Sequence, residues 1–178
     1  MGEKKMSELW DVYDVERRKI GKMVERGKDW LKDGEYHLVV FGFVMDEYSN
    51  IFITQRDPRK DYGLQWECSG GSVIQGEDTL LGVHREVLEE SGLDISKEMF
   101  KLIGTKIDDE DHVIVDIYLA ILEKIDLNQV KLQEGETVDA KIVTIKEFEE
   151  MIDAGMIAKN VNMCYNIFLK PYYEKNLR

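Results

Sequence analysis

Polar and hydrophobic positions alternate with a short period through the first third of the chain. From residue 8 onward LWDVYD and KIGKMV flank a polar ERR, which reads as a short strand pair. The polar ERGKDWLKDGE that follows has room for one helical turn. Residues 36–45, YHLVVFGFVM, form a near-continuous β-branched and aromatic run, which predicts a central strand buried on both faces. NIFITQ (50–55) alternates and is expected to pair with it across the turn DEYS. RDPRKDYG reads as a basic, turn-rich loop and LQWECS as another short strand.

The period then changes. Over residues 78–91 Leu80, Leu81, His84, Val87 and Leu88 fall at the spacing of one helix face, with Asp78 placed to cap the start and Gly92 the end. Residues 100–106, 113–122 and 140–145 return to strands, and 145–154 and 161–173 read as helices. Strands, one helix, more strands and closing helices predict an α+β fold with a mixed sheet between helical layers. The 178 residues suit one domain, 1–178, with an N-terminal β extension over about residues 1–34.

Composition narrows the setting. The chain is 43% hydrophobic, enough for a real core, and no apolar run approaches the roughly 18 residues of a membrane span. The N-terminus has two lysines without an apolar stretch behind them, so it does not read as a secretory signal. Met1-Gly2 suggests acylation, but Met6 stands where that motif wants Ser or Thr. Cys68 and Cys164 lie far apart without C-x-x-C spacing and read as reduced, half-buried thiols of a cytoplasmic protein. With 36 acids against 24 bases the net charge is −12, which argues against nonspecific binding of nucleic acid or an anionic membrane. An acidic protein still holds a phosphorylated ligand if divalent metal and a few local cations neutralise the site. Dimers are the commonest oligomers, and the N-terminal strands offer a surface for a homodimer.

The chemistry gathers on the 78–91 helix. Glu86, Glu89 and Glu90 share one side of it, and Leu80, Leu81, Val87 and Leu88 take roughly the other. Three carboxylates this close repel one another and call for water, Arg85 or a divalent cation. Oxygen-only ligands suit Mg²⁺, or Mn²⁺ as its substitute, rather than zinc. The frame is wider than the helix: Gly71, Glu77, Arg85-Glu86-Val87, Glu89-Glu90 and Gly92-Leu93 stand at fixed spacings over residues 71–93.

That frame is the complete Nudix signature, and the chain resembles Nudix hydrolases of the MutT-like kind. The resemblance implies an α/β/α sandwich carrying a catalytic loop-helix-loop. It also implies hydrolysis of a nucleoside-diphosphate-X type small molecule by water attack on phosphorus. Carried onto this sequence, Glu89 and Glu90 are metal ligands, Glu86 is a ligand or the base, and Arg85 holds the carboxylates, with Glu77 as its partner. The carbonyl of Gly70 completes the metal shell. Glu136 sits where relatives place a further glutamate that serves as base or ligand. Arg56 and Trp66 are candidate substrate-binding residues, with Arg59, Lys60 and Tyr62 beside them. His84 reads as a satisfied core histidine and His112 as exposed.

LWDVYD…GEYHLVV, the loop 56–63 and Trp66 also resemble the isopentenyl-diphosphate-isomerase-like branch of the superfamily, and His37 matches a histidine that opens its central strand. True isomerases use a cysteine in a Cys-Gly-His-Pro-like stretch. Here the stretch reads Ser69-Gly70-Gly71-Ser72-Val73, with Cys68 displaced from that pattern. Isomerisation is the alternative activity, and a non-catalytic ligand-binding Nudix domain is a third reading.

Overall fold

The structure, a computed structural model, describes residues 8–177. Residues 1–7, read above for a signal or acylation motif, lie outside that range. Strands β1 (Leu9–Tyr13) and β2 (Lys19–Glu25) form the expected antiparallel hairpin. ERGKDWLKDGE holds hydrogen-bonded turns rather than a helical turn. Gly27 and Gly34 adopt φ values of 78° and 79°, which break any helical run there.

Strand β3 (His37–Asp46) is central and runs parallel to β8 (Val113–Leu122) along its whole length. β8 in turn pairs antiparallel with the edge strand β7 (Phe100–Asp108). On its other side β3 meets β4 (Ile51–Arg56) at two positions only, Val44–Phe52 and Met45–Ile51. Beyond them the two strands part. β6 (Ser69–Ser72) takes over the first half of β3, from Val39 to Gly42, and β5 (Trp66–Glu67) takes the end of β4. β9 (Thr137–Val143) runs antiparallel along the outer side of β4. The expected pairing of β3 with β4 is thus present but short, and the two strands diverge into a wedge.

Alternation along β3 feeds two separate cores. Phe41, Phe43 and Met45 face one side, where they meet α2 (Ile145–Asp153) and a closing helical run over residues 159–176. Leu38, Val40 and Val44 face the other, against α1 (Thr79–Ser91). This is the mixed sheet between helical layers that the pattern predicts. The closing run comprises α3 (Lys159–Cys164), a π-helical turn (Tyr165–Leu169) and α4 (Lys170–Asn176). Pro171, which has no N–H to return to the preceding turn, lies two residues past the end of the π turn. Helix α2 begins with a capping box, in which Thr144 and Glu147 satisfy each other's backbone N–H groups.

Candidate active site

Helix α1 starts and stops as expected. Asp78 accepts a hydrogen bond from the Leu81 N–H at 2.8 Å, and Gly92 at φ 72° donates to the Leu88 carbonyl. The face it buries matches the expected one only in part: Val87 is buried and Leu80 packs against the same core. Leu81 and Leu88 are 39% and 38% exposed, while Gly82, Val83, Val87 and Glu90 point inward. The reason lies in β3: at Gly42 an added Cβ would stand 2.8 Å from Val83 Cγ2 and 3.1 Å from Val87 Cγ2. The helix sits too close to the sheet for a side chain there, which centres its contact on Val83 and Val87 and carries Glu90 inside.

Arg85 organises the acidic side. Its guanidinium donates to Glu77 through Nε at 2.9 Å and Nη2 at 3.1 Å, and to Glu86 Oε1 through Nη1 at 2.7 Å. It also reaches the Ser72 carbonyl at 3.0 Å and Glu89 Oε2 at 3.3 Å. Gly71 allows this packing, because a Cβ on it would lie 2.5 Å from Glu86 Oε1. Burial pushes the Glu86 carboxyl above its ordinary range; Arg85 offsets part of the rise, and Glu89 and Glu8 add to it.

Glu90 is 7% exposed, and its Oε2 has no hydrogen-bond partner. Burial first, and then the neighbouring charges of Glu67 and Glu86, push its carboxyl up to about 8. Glu67 was not singled out from the sequence. It is buried on β5, paired to Arg56 Nη1 at 2.5 Å, and likewise raised by burial, with Arg56 pulling the other way. Its signal was in the alternation: Trp66 and Cys68 on either side both join the core beneath the closing helices, so Glu67 between them turns to the opposite face.

These groups line one cleft of about 640 Å³, set in the wedge between β3 and β4. Gly70, Gly71, Arg85, Glu86, Glu89 and Glu90 meet there with Arg56, Glu67, Lys60 and Glu136. Lys60 Nζ is ion-paired to Glu136 Oε2, so the loop before β9 is tied to the loop after β4. Among the described residues no three His, Cys, Asp or Glu side chains already stand at metal-ligating distances. The donor set nonetheless fits a hard divalent cation. It is made of oxygens alone, and it includes a buried carboxylate oxygen left without a partner. Also among the described residues, no helix is long and apolar enough to cross a membrane.

The NUDIX domain family matches residues 35–160. The chain belongs to the Nudix hydrolase family. An uncharacterized Nudix hydrolase of Listeria monocytogenes is 32% identical over 152 residues, covering 83% of this chain and 86% of that protein. Nudix hydrolase 3 of Arabidopsis thaliana is 28% identical over 173 residues, 87% of this chain but 22% of the plant protein. Among solved structures, DR0079 from Deinococcus radiodurans superposes with a TM-score of 0.68 at 18% identity, covering 89% of this chain and 99% of that one. This last likeness is one of fold.

Around the Nudix helix the remaining candidates fall in different places. Arg56 lines the cleft, held by Glu67 and by the Asp61 carbonyl at 2.9 Å. Trp66 does not line it; the indole is buried under the closing helices with Lys141 Nζ 4.1 Å from its ring centre. Arg59 is tied to Asp57 by two bonds of 2.7 Å, and Tyr62 is exposed. His84 is partly exposed, 3.7 Å from Asp94, and is not a core residue. His112 is half-buried rather than exposed, at φ 54° in the turn before β8. Cys68 and Cys164 are free thiols and fully buried, more so than the half-buried placing expected from the sequence. His37 is buried and stacks on Trp10 with ring centres 4.0 Å apart.

Proposed function

We propose that this Nudix hydrolase cleaves a diphosphate linkage in a nucleoside-diphosphate-X type small molecule by attack of water on phosphorus, with Mg²⁺ as its cation and Mn²⁺ able to replace it. The observation that carries the reading is the unpartnered, buried Oε2 of Glu90 in a cleft shared with Glu67, Glu86 and Glu89. Isolated buried carboxylates lower stability unless a cation balances them. Glu89 and Glu90 would hold the metal, with the Gly70 carbonyl and either Glu67 or Glu86 completing an oxygen shell. When bound, the metal neutralises charge that builds on the diphosphate oxygens.

The protein's own groups supply the rest. Arg85 fixes Glu86 from one side, so its carboxylate is held rather than free to swing. Glu86 then orients the attacking water or takes its proton, and Glu136, which lines the same cleft beside Lys60, is the second candidate for that role. Arg56 and Lys60 supply positive charge to the substrate phosphates. A Proteus vulgaris relative, 28% identical over 95 residues, is an 8-oxo-dGTP diphosphatase, which supports a nucleotide as part of the substrate. A structural neighbour from Francisella tularensis is a bifunctional NMN adenylyltransferase/ADP ribose pyrophosphatase complexed with AMP and a Mn ion (TM-score 0.60, 15% identity). Two free, buried thiols support a reducing, cytoplasmic setting.

Isomerisation gains no support from Cys68. Burial pushes its thiol well above the ordinary range, and it faces the core rather than the cleft. The decisive experiment is release of phosphate and nucleotide from a panel of diphosphate compounds with Mg²⁺, with Mn²⁺ and with EDTA. The panel spans nucleotide sugars, dinucleoside polyphosphates, oxidised nucleotides and isopentenyl diphosphate. Metal-dependent release from a nucleoside-diphosphate compound is the expected result. Silence across the panel, with isomer formed from isopentenyl diphosphate, would overturn it.

A further inference from the structure

The cleft has a wall that lies outside the matched family region. Glu8 and Arg26, at the open end of the β1–β2 hairpin, line it together with Gly71 and Glu86. The hairpin is firmly seated. The Gln75 N–H donates to the Leu9 carbonyl at 2.8 Å, and the Gly76 N–H to Asp11 Oδ2 at 3.0 Å, so β1 grips the loop that precedes α1. Trp10 stacks on His37 at an interplanar angle of 7°. Arg17 reaches Asp116 with two bonds of 2.8 and 2.6 Å, and buried Asp116 also accepts from Thr79, the first residue of α1. The position of Arg26 is therefore set by the same elements that set the catalytic helix.

All four cations lining the cleft are ion-paired, and three of them hold the better-buried pairs. Arg85 serves Glu77 and Glu86, Arg56 serves Glu67, and Lys60 serves Glu136. Arg26 differs: its side chain is 59% exposed, and its ion pair is with Glu8, itself 33% exposed, at 2.8 Å. Such a solvated pair holds weakly. A guanidinium in that state exchanges a carboxylate for a phosphate readily, because both present the paired oxygens its fork matches.

We propose that Arg26 is a specificity-determining residue: it receives an anionic group of the substrate, with Glu8 as the resident carboxylate that the substrate displaces. This rests on the hydrolase reading for its substrate class. It selects diphosphate compounds whose X group carries its own negative charge, such as dinucleoside polyphosphates, over those with a neutral X group, such as nucleotide sugars.

The test uses two variants that remove the same ion pair. Arg26→Ala raises KM for a charged-X substrate about tenfold, the size of one lost charge-assisted hydrogen bond, with kcat little changed. Glu8→Gln frees Arg26 and lowers KM for the same substrate. Arg26→Lys recovers part of the loss, and Arg18→Ala, on an exposed hairpin arginine paired to Asp14 and Glu16, changes nothing. A pair that merely props the hairpin would move KM in the same direction in both variants, and that result overturns the proposal. So does an equal effect on charged-X and neutral-X substrates. Calorimetric binding of ADP in the presence of Ca²⁺ reads the same contrast without turnover. A wild-type protein that is silent on every substrate sinks the hydrolase reading, yet ADP affinities that still move oppositely in the two variants would keep Arg26 as an anion receptor. Unchanged ADP affinity in Arg26→Ala would remove it.

Discussion

The two helical layers of this protein rest on opposite faces of one sheet and obey different rules. Beneath α2 and the closing helices the contact is apolar throughout: Phe148, Met151, Val161, Cys164, Tyr165 and Leu169 meet Phe43, Met45 and Ile117. Beneath α1 the helix buries Thr79, Glu90 and Ser91 alongside Val83 and Val87. The first layer is a core that gains from every buried carbon, at roughly 25 cal/mol per Å². The second gives up part of that gain to hold carboxylates in a place where water cannot fully solvate them. The difference teaches that a helical layer which buries carboxylates gains less from burial than its apolar counterpart, the arrangement expected of the proposed metal site.

The contrast breaks most sharply at Glu90. Glu90→Gln should lower metal-dependent turnover on the order of 1000-fold, since a lost metal interaction is worth several kcal/mol. The same change should raise the melting temperature of the metal-free protein at pH 8, because a neutral amide replaces a buried charge. A turnover rate that survived would remove Glu90 from the metal site. The opposite signature belongs to Phe148, fully buried and packed on Tyr165 with ring centres 4.9 Å apart. Phe148→Ala should cost about 3–5 kcal/mol, a fall of roughly 10 °C in Tm, while kcat of the folded fraction stays near wild type.

A pH series sharpens the acidic side. The Glu90 carboxyl rises from an ordinary 4.5 to about 8 in the folded, metal-free protein. Its contribution to stability is therefore fully present below pH 4.5 and is lost as pH climbs through 8, by up to several kcal/mol. Thermal melts without metal should show this decline, Glu90→Gln should flatten it, and Mg²⁺ should stabilise more as pH rises. A metal effect that does not depend on pH would contradict the assignment. The smallest expected effect tests the boundary of the layer: Leu81→Gln and Leu88→Gln should each change stability by about 0.5 kcal/mol or less, as exposed positions do. A large loss at either would restore the leucine-inward helix that the sequence pattern suggests.

Much of the molecule was legible from residue order. The central strand, the hairpin before it and the capping of α1 by Asp78 and Gly92 all follow from local rules, while the pairing of Arg85 with Glu77 came with the family resemblance. Alternation, capping and fixed spacing act within a few residues, so they survive without knowledge of the fold. The expected helical turn after β2 fails at the same local scale, because two glycines at positive φ interrupt it.

Other features belong to contacts between distant segments. Leu81 and Leu88 look inward on a helical wheel, but the wheel is turned by Gly42 on a strand some forty residues earlier. Trp66 looks like a stacking platform, yet the closing helices cover it. Glu67 enters the cleft only because β5 alternates between two layers, and Arg26 does so only because the hairpin is pinned to the loop before α1. From the sequence alone one reads the family signature and the oxygen-rich chemistry it carries, since those depend on spacing along one helix. Tertiary packing decided which carboxylates are stripped of water, which cations remain exchangeable and which aromatic ring stays out of reach, because solvation and burial are properties of the neighbours a residue acquires when the chain closes on itself.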